Sequence, residues 1–191
     1  MDAQKNTYII DIDTTPFEKI SLMIAAAETD DEMGTVIRLH GIIEGLVSFY
    51  IKEMSQGEIA KYAKEPREFG AKLGLATAFG LPLPIARVVH QINIIRNKLA
   101  HTPETPINTG DMKELARKAN GLSEIFPDFS NMDRRYITIN LKSPDEKLLF
   151  GKHGNRIDFI IIGFAFHTAM TQWLIQDAAI RRLAKNALKP Q

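Results

Sequence analysis

Apolar residues recur every three or four positions along most of this chain, which is the spacing of helices with one buried side. Only residues 123–154 interrupt that spacing. The clearest series follows Asp31 and places on one helical face Val36, Leu39, Ile43, Leu46, Val47, Tyr50 and Met54. Such a chain can bury its apolar side chains only by packing helix against helix, so we predict a mainly α fold, a helical bundle.

Six helices are predicted from their start and stop signals. Proline in a first turn, short polar caps and glycine after a last turn mark the boundaries. The predicted helices run over 16–28, from Thr29, Asp30 or Asp31 to about Gln56, from Pro66 through Phe79, over 84–101, from Thr109 or Asp111 to Gly121, and from Asn155 to about 187.

The interruption before the last helix has the spacing of strands. In "RRYITINLKSPDEKLLFG", polar and apolar residues alternate from Tyr136 to Leu141, and a turn is predicted at Ser143-Pro144-Asp145. We therefore expect a small β-hairpin near 135–150. The chain is predicted to be a single helical domain over 1–191, with a hairpin-like insertion over 130–152.

Charge and composition exclude several classes of function. Lys and Arg total 24 against 23 Asp and Glu, so no overall field attracts nucleic acid, and any such contact must be local. Cysteine is absent, which excludes disulfides and thiolate chemistry. The first residues, "MDAQKNTYIIDIDTTP", are unlike a secretory signal, and we predict a cytoplasmic protein.

Membrane insertion and metal binding are not expected. The apolar stretch "IDFIIIGFAFHTAMTQWLI" contains Asp158, His167 and Gln172, which are costly in a bilayer, so we interpret it as a buried helix. His40 and Glu44 stand one turn apart, but two ligands are too few for a metal site, and a hydrogen bond along the helix face is the expected role. No cofactor is predicted.

The fourth predicted helix has two different faces. A core stripe is formed by Ile85, Val88, Ile92, Ile95 and Leu99. The roughly opposite side carries Ala86, His90, Asn93, Ile94, Asn97 and His101. A solvated face normally carries Lys and Glu, whereas uncharged polar and apolar residues suit a second contact, such as a dimer interface or a lined cleft.

Three residues near the end of this helix suit phosphodiester cleavage. The Arg96 guanidinium can hold phosphate oxygens, and His101 can move the proton of a ribose hydroxyl or of a leaving oxygen, without a metal. Spacing alone favours a structural role, in which Asn97 and His101 cap the helix end and Arg96 forms a salt bridge. Thr102-Pro103 ends the helix directly afterwards.

The segment "RNKLAH" resembles the R-x4-H motif, with a polar residue after the Arg, of the HEPN superfamily. The neighbouring helices "FGAKLGLATAFGL" and "NRIDFIIIGFAF" are similar to that family's context. The resemblance covers about residues 30–120 and 155–185. It implies an all-α bundle that pairs as a homodimer, with the motifs of two chains facing each other across a cleft.

The resemblance also implies a function. Active members are metal-independent endoribonucleases, often toxins of toxin–antitoxin or defence systems. Arg96 would contact the RNA phosphate, His101 would be the acid or base, and Asn97 would orient the histidine or the substrate. Side chains expected to bind substrate are His90, Asn93 and Lys98. The partners would then be RNA and an antitoxin.

A second branch of the same superfamily leaves another function open. Proteins similar to the mannitol operon repressor family are non-catalytic helical regulators, whose partner would be a regulatory protein. Neither the near-neutral charge nor the hairpin segment fits the common pattern of the nucleases.

Three further features have ordinary structural interpretations. His167 is expected to be a hydrogen-bonded core histidine, and the basic "RRLAK" segment to compensate the dipole at a helix end, although it could also help to hold RNA. The "GKHGN" turn resembles an anion-binding turn only loosely.

Overall fold

The protein is described from a computed structural model, which defines residues 12–102, 104–140 and 143–187. Within these residues the chain forms six α-helices and one two-stranded antiparallel sheet, so the predicted mainly α bundle with a small hairpin is confirmed. The helices are α1 (Ile20–Glu28), α2 (Glu32–Met54), α3 (Phe69–Ala78), α4 (Leu83–His101), α5 (Thr109–Asn120) and α6 (Asn155–Ala187). Pro103 and most of "MDAQKNTYIIDIDTTP" lie outside the described residues.

Helix α2 is the centre of the bundle and packs against α1, α3, α4 and α6. All the residues predicted for its core face are buried except Met54, which is partly buried against the same core. The N-terminus of α2 is capped by the Asp31 carboxylate, which accepts hydrogen bonds from the backbone N–H groups of Met33 and Gly34 at 3.0 and 2.8 Å. Buried side chains from all six helices belong to one hydrophobic cluster.

Several predicted boundaries differ from the structure. The helix predicted over 16–28 is a 3₁₀ turn at Thr15–Phe17 followed by α1, because Lys19 lies outside helical geometry. Helix α3 begins at Phe69 and not at Pro66. Helix α5 is capped by Asn108, whose Oδ1 accepts from the N–H groups of Gly110 and Asp111, so neither predicted cap is the cap.

The hairpin consists of β1 (Tyr136–Ile139) and β2 (Ser143–Leu149), which pair Tyr136 with Leu149. The predicted turn at Ser143-Pro144-Asp145 is wrong, since these residues already belong to β2. Proline is tolerated there because the start of an edge strand needs no N–H donor. Ile139 and Leu148 are buried and attach the hairpin to the bundle core.

Two helices of the described chain, α2 and α6, are long and apolar enough to cross a membrane by length and composition. Of their most apolar stretches, 61% and 67% of the residues are buried inside the bundle. Core helices meet the same criterion, so this pattern is weak evidence for a membrane span.

Candidate functional site

Helix α4 holds the candidate site because its core stripe fixes its orientation. All five stripe residues are buried, and α4 packs against α2, α3 and α5. Polar pairs hold it to α5: Lys98 Nζ lies 2.8 Å from Asp111 Oδ1, and Lys118 Nζ donates to Gln91 Oε1 at 2.7 Å. The residues of the RNKLAH motif are therefore carried on a rigid helix whose last turn lies at the bundle surface.

Arg96 contacts the neighbouring asparagine of the motif. Its Nη1 donates to Asn97 Oδ1 at 3.0 Å, and the Arg96 side chain is exposed. Within the part of the chain that the structure describes, no carboxylate lies within ion-pair distance of this guanidinium. The salt bridge of the structural interpretation is therefore not found there.

The end of α4 is capped by Thr102. Its backbone N–H and its hydroxyl both donate to the Lys98 carbonyl, at 3.0 and 2.8 Å. His101 is exposed, and its imidazole makes no hydrogen bond to any residue in the described ranges. The cap predicted for Asn97 and His101 is thus supplied by Thr102, and both side chains are left for another role.

A cavity of about 550 Å³ lies between the last two turns of α4 and the segment that leads into α5. Its polar lining includes Asn97, His101, Lys98 and Asp111, and its apolar lining includes Ile94 and Ile107. We call this cavity, defined by these six residues, the α4 cleft. The structure therefore places two of the three predicted catalytic side chains on one open cleft, with Arg96 bonded to one of them.

The far wall of the α4 cleft is held by a clamp on Ile107. Its N–H donates to Glu32 Oε2 at 2.6 Å, and its carbonyl accepts from Asn155 Nδ2 at 2.7 Å. Asn155 also donates to Thr109 Oγ1 at 3.1 Å. The first residues of α2 and α6 thus fix the loop opposite the motif, an arrangement that holds a site in one shape.

Asn93 does not face the α4 cleft. Its Oδ1 accepts a hydrogen bond from His40 Nε2 at 3.2 Å, across the contact between α4 and α2. His40 is 5% exposed and lies against the Phe69 ring at a centroid distance of 4.5 Å. Its Nδ1 is 4.0 Å from Glu44 Oε2, too long for the predicted hydrogen bond along the helix face.

The electrostatics of His40 follow from this position. Burial lowers the pKa of His40 below its ordinary value of 6.5, while the hydrogen bond to Asn93 and the Glu44 carboxylate act in the opposite direction. The nearby Arg96 charge adds to the lowering of the pKa. The surroundings of His40 therefore favour its neutral imidazole form next to the motif.

A charged cluster beside His40 was missed by the sequence analysis. Lys72, 14% exposed, lies 2.7 Å from Glu44 Oε1 and 3.0 Å from Glu65 Oε1, and Ser48 donates to Glu65 at 2.6 Å. The hydrogen bond to Glu44 is the main reason that the pKa of Lys72 is raised. Glu44 and Ser48 stand one turn apart on α2, but no spacing predicts that α3 brings Lys72 to them.

The remaining predicted substrate residues differ in their surroundings. Lys98 lies on the α4 cleft but is paired with Asp111. His90 is exposed two turns before Asn97 on the same side of α4, and within the described residues its imidazole makes no hydrogen bond. Only Lys98 of the three predicted substrate-binding residues therefore lines the cleft.

The RRLAK segment, the GKHGN turn and His167 each have a defined environment in the structure. In the RRLAK segment, Arg181 pairs with Asp177 at 2.7 Å and Arg182 with Glu53 at 2.9 Å, so this patch is largely neutralised. The Gly151 N–H of the GKHGN turn donates to Asp158 Oδ1 at 2.7 Å, so a carboxylate of the chain itself occupies that turn. His167 is buried, but its Nε2 has no hydrogen-bond partner in the described structure, unlike the prediction.

Comparison with protein-family models, with curated proteins and with solved structures gives no match for this chain. Across 12–102, 104–140 and 143–187, no three His, Asp or Glu side chains are grouped so that they could hold a metal ion. The interpretation of the site therefore depends on its own geometry and on the resemblance of the RNKLAH segment.

Proposed function

We propose that this protein is a metal-independent endoribonuclease whose site is formed by Arg96, Asn97 and His101 and is completed by a second copy of the chain. One observation carries the proposal: Thr102 caps α4, so Asn97 and His101 are free to line an open cleft, with the Arg96 guanidinium bonded to Asn97. Of the structural roles that spacing favoured, the cap of α4 is supplied by Thr102, and the salt bridge of Arg96 has no acidic partner in the described chain.

The reaction uses the substrate's own nucleophile. The ribose 2′ oxygen attacks the phosphorus, the bond from phosphorus to the 5′ oxygen breaks, and the products are a 2′,3′-cyclic phosphate and a 5′ hydroxyl. Arg96 holds the phosphate and stabilises the charge that develops on it. Asn97 fixes the direction of the guanidinium through their hydrogen bond. No water molecule and no metal take part in this scheme.

Two proton transfers explain why a second copy is needed. One imidazole accepts the proton of the 2′ hydroxyl, and a protonated imidazole gives a proton to the departing 5′ oxygen. Each chain offers one histidine, His101, at its own α4 cleft. A symmetric dimer that brings two α4 ends together supplies both.

The outer face of α4 supports such a pairing. Leu83 is 58% exposed, His90 and His101 are exposed, and Ile94 is half-buried. Apolar and uncharged polar side chains on one helix face favour a protein interface over open solvent. We propose the cytoplasm as the location, because the proposed substrate, RNA, is found there.

The test is cleavage of 5′-labelled single-stranded RNAs in the presence of EDTA. We expect native protein to cut, and His101→Ala and Arg96→Ala to lose about 100-fold or more in rate, as removal of a catalytic acid or base or of a group that stabilises developing charge does. His153→Ala is the matched control, since His153 is exposed and lies outside the α4 cleft. Native protein that leaves all RNAs intact, or a fully active His101→Ala variant, would contradict the proposal.

A regulatory or interaction module, similar to the mannitol operon repressor branch, is the second candidate. The observation that favours it is a pair of exposed apolar side chains one turn apart on α1, Ile20 and Ile24. Neighbouring exposed apolar side chains on one helix face favour contact with a protein partner. An antitoxin would fit the same surface in the nuclease account. Growth arrest on expression, relieved by His101→Ala, would favour the nuclease; no arrest and no cleavage would favour the regulator.

A further inference from the structure

A second cavity, of about 770 Å³, lies between the segment that follows α5 and one side of α6. It shares no lining residue with the α4 cleft. Its volume is within the range of sites that enclose small organic ligands, about 300–1,000 Å³. We call it the α6 cavity, and its chemistry is set by Arg135, by aromatic side chains and by a row of polar residues on α6.

Arg135 forms the cationic part of the wall. Its guanidinium lies 4.4 Å from the centroid of the Phe129 ring, and its Nε donates to the Ser130 carbonyl at 3.1 Å. These two contacts fix the plane of the guanidinium. Burial lowers the pKa of Arg135, as desolvation does for any cation.

Arg135 has no compensating acid in the described residues. No carboxylate there lies within 4.0 Å of the guanidinium, although Asp128 lines the same cavity. A partly buried cation without an acidic partner gains most from an anionic ligand, and the guanidinium fork matches the two oxygens of a carboxylate. Arg134 adds a second, exposed positive charge to the lining.

Aromatic and amide side chains form the rest of the cavity. The rings in the lining belong to Phe126, Phe129, Tyr136 and Phe164. Helix α6 contributes Thr168, Gln172 and Gln176, which stand one turn apart and present donors and acceptors along one line. Rings bind a planar apolar body, and amides can bond polar groups at its edge.

We propose that the α6 cavity binds a small aromatic monocarboxylate, with its carboxylate on Arg135 and its ring against the aromatic side chains. The charge of the lining supports one negative charge in the ligand: two arginines face one aspartate, so a polyphosphate would be poorly compensated. This site is independent of the proposed nuclease, since neither its residues nor its ligand take part in RNA cleavage.

The test is isothermal titration calorimetry on the full chain. The probes are benzoate, 4-hydroxybenzoate and indole-3-carboxylate, together with the corresponding neutral amides and with acetate. We expect saturable binding of at least one aromatic carboxylate, with binding of its amide weaker by about tenfold or more because the charged hydrogen bonds are lost. Acetate, which lacks the ring, should bind no more tightly than the amides.

Two variants locate the binding. Arg135→Gln should weaken it about tenfold or more, whereas Arg67→Gln, which changes an exposed arginine outside the cavity, should leave it unchanged. Thr168→Trp fills the cavity from an exposed helix position and should abolish binding without altering Arg135. If Arg135→Gln fails to fold, Thr168→Trp decides alone. Failure of all three carboxylates to bind, or binding that survives Thr168→Trp, would overturn the proposal.

Discussion

At the scale of single residues, the hydrogen bond from His40 to Asn93 decides how the polar face of α4 is divided. It joins residues 53 positions apart and turns Asn93 towards α2, away from the α4 cleft. Asn93 is therefore a structural residue that supports the helix carrying the motif. Arg96 lies close enough to His40 that its charge lowers the pKa of His40.

The pH dependence of stability should report on His40. Burial lowers the pKa of His40 and of His167 in the fold, so the unfolded chain binds more protons below their ordinary value of 6.5. The free energy of unfolding should consequently fall as the pH is lowered from about 7.5 to about 5.5. Urea unfolding at several pH values across this window measures the slope.

The His40→Gln variant should show a shallower slope, because only His167 then titrates with a lowered pKa. His90→Gln serves as the control for the loss of an exposed histidine, since the His90 charge acts on neither His40 nor Asp158. Asp158, whose pKa is raised by burial, contributes with the opposite sign but equally in all variants, so it cancels in the comparison. Identical slopes for native protein and His40→Gln would contradict the role given to His40.

Removing only Asn93, which accepts the hydrogen bond from His40, should destabilise the protein more than removing both side chains. Asn93→Leu leaves the buried His40 donor without a partner and should lower the free energy of unfolding by about 1–3 kcal/mol. The double variant His40→Phe with Asn93→Leu should recover part of that loss, since neither polar group remains. Chemical denaturation of these two variants and of the single variant His40→Phe measures the coupling. Purely additive losses would show that the two side chains do not interact.

At the scale of elements, the contact between α2 and α6 depends on a glycine. A Cβ added at Gly163 would meet Leu39 Cδ1 at 2.9 Å, closer than packed carbon atoms allow, and Leu39 is only 1% exposed. Gly163 therefore lets the two longest helices approach each other, and α6 in turn supplies Asn155 to the wall of the α4 cleft.

Two glycine substitutions test this contact against helix propensity alone. Gly41→Ala adds a methyl group where nothing lies within 4 Å and should stabilise the protein by about 0.5–1 kcal/mol. Gly163→Ala gains the same propensity but overpacks the core, so it should be less stable than Gly41→Ala by about 1–3 kcal/mol. Urea unfolding compares them, and equal stabilities would show that the contact is not tight.

Helices were predictable from the sequence to the extent that their signals are local. The core stripe of α4 was predicted correctly because its spacing follows from helix geometry and all five of its residues are apolar. The cap of α5 was not predicted correctly, because Asn108, Thr109 and Asp111 all have side chains that can cap a helix. Which of them caps α5 depends on the path of the loop that leads into the helix. The turn of the hairpin was placed too late because Pro144 is compatible with both a turn and an edge strand.

The contacts around the candidate site were beyond sequence reasoning for another reason. His40, Lys72 and Asn93 come from three helices, and their meeting depends on how those helices are rotated against each other. The α4 cleft likewise needs the Ile107 clamp, which joins the starts of α2 and α6 to a loop between other helices. Spacing places residues on one helix but does not predict which partner helix they face.

At the scale of the whole molecule, the proposed nuclease requires two chains. We expect native protein to sediment at twice its chain mass of 21.5 kDa at micromolar concentration. Leu83→Glu puts a charge on the outer face of α4, outside the α4 cleft, and should shift the protein to the monomer, with loss of RNA cleavage. Lys113→Glu, a charge change at an exposed position on α5, should do neither. Analytical ultracentrifugation measures both variants, and a monomeric native protein would contradict the shared site.

The most direct test of the account is a mixture of native chains with His101→Ala chains. Equal amounts are unfolded together, refolded as a mixture, and assayed for RNA cleavage in EDTA. Because the proposed reaction uses the His101 side chains of both chains, only dimers of two native chains are active, and random pairing returns about a quarter of the rate of the same total amount of native protein. A rate of about half would show that each chain acts with its own histidine, which contradicts a site shared across the dimer.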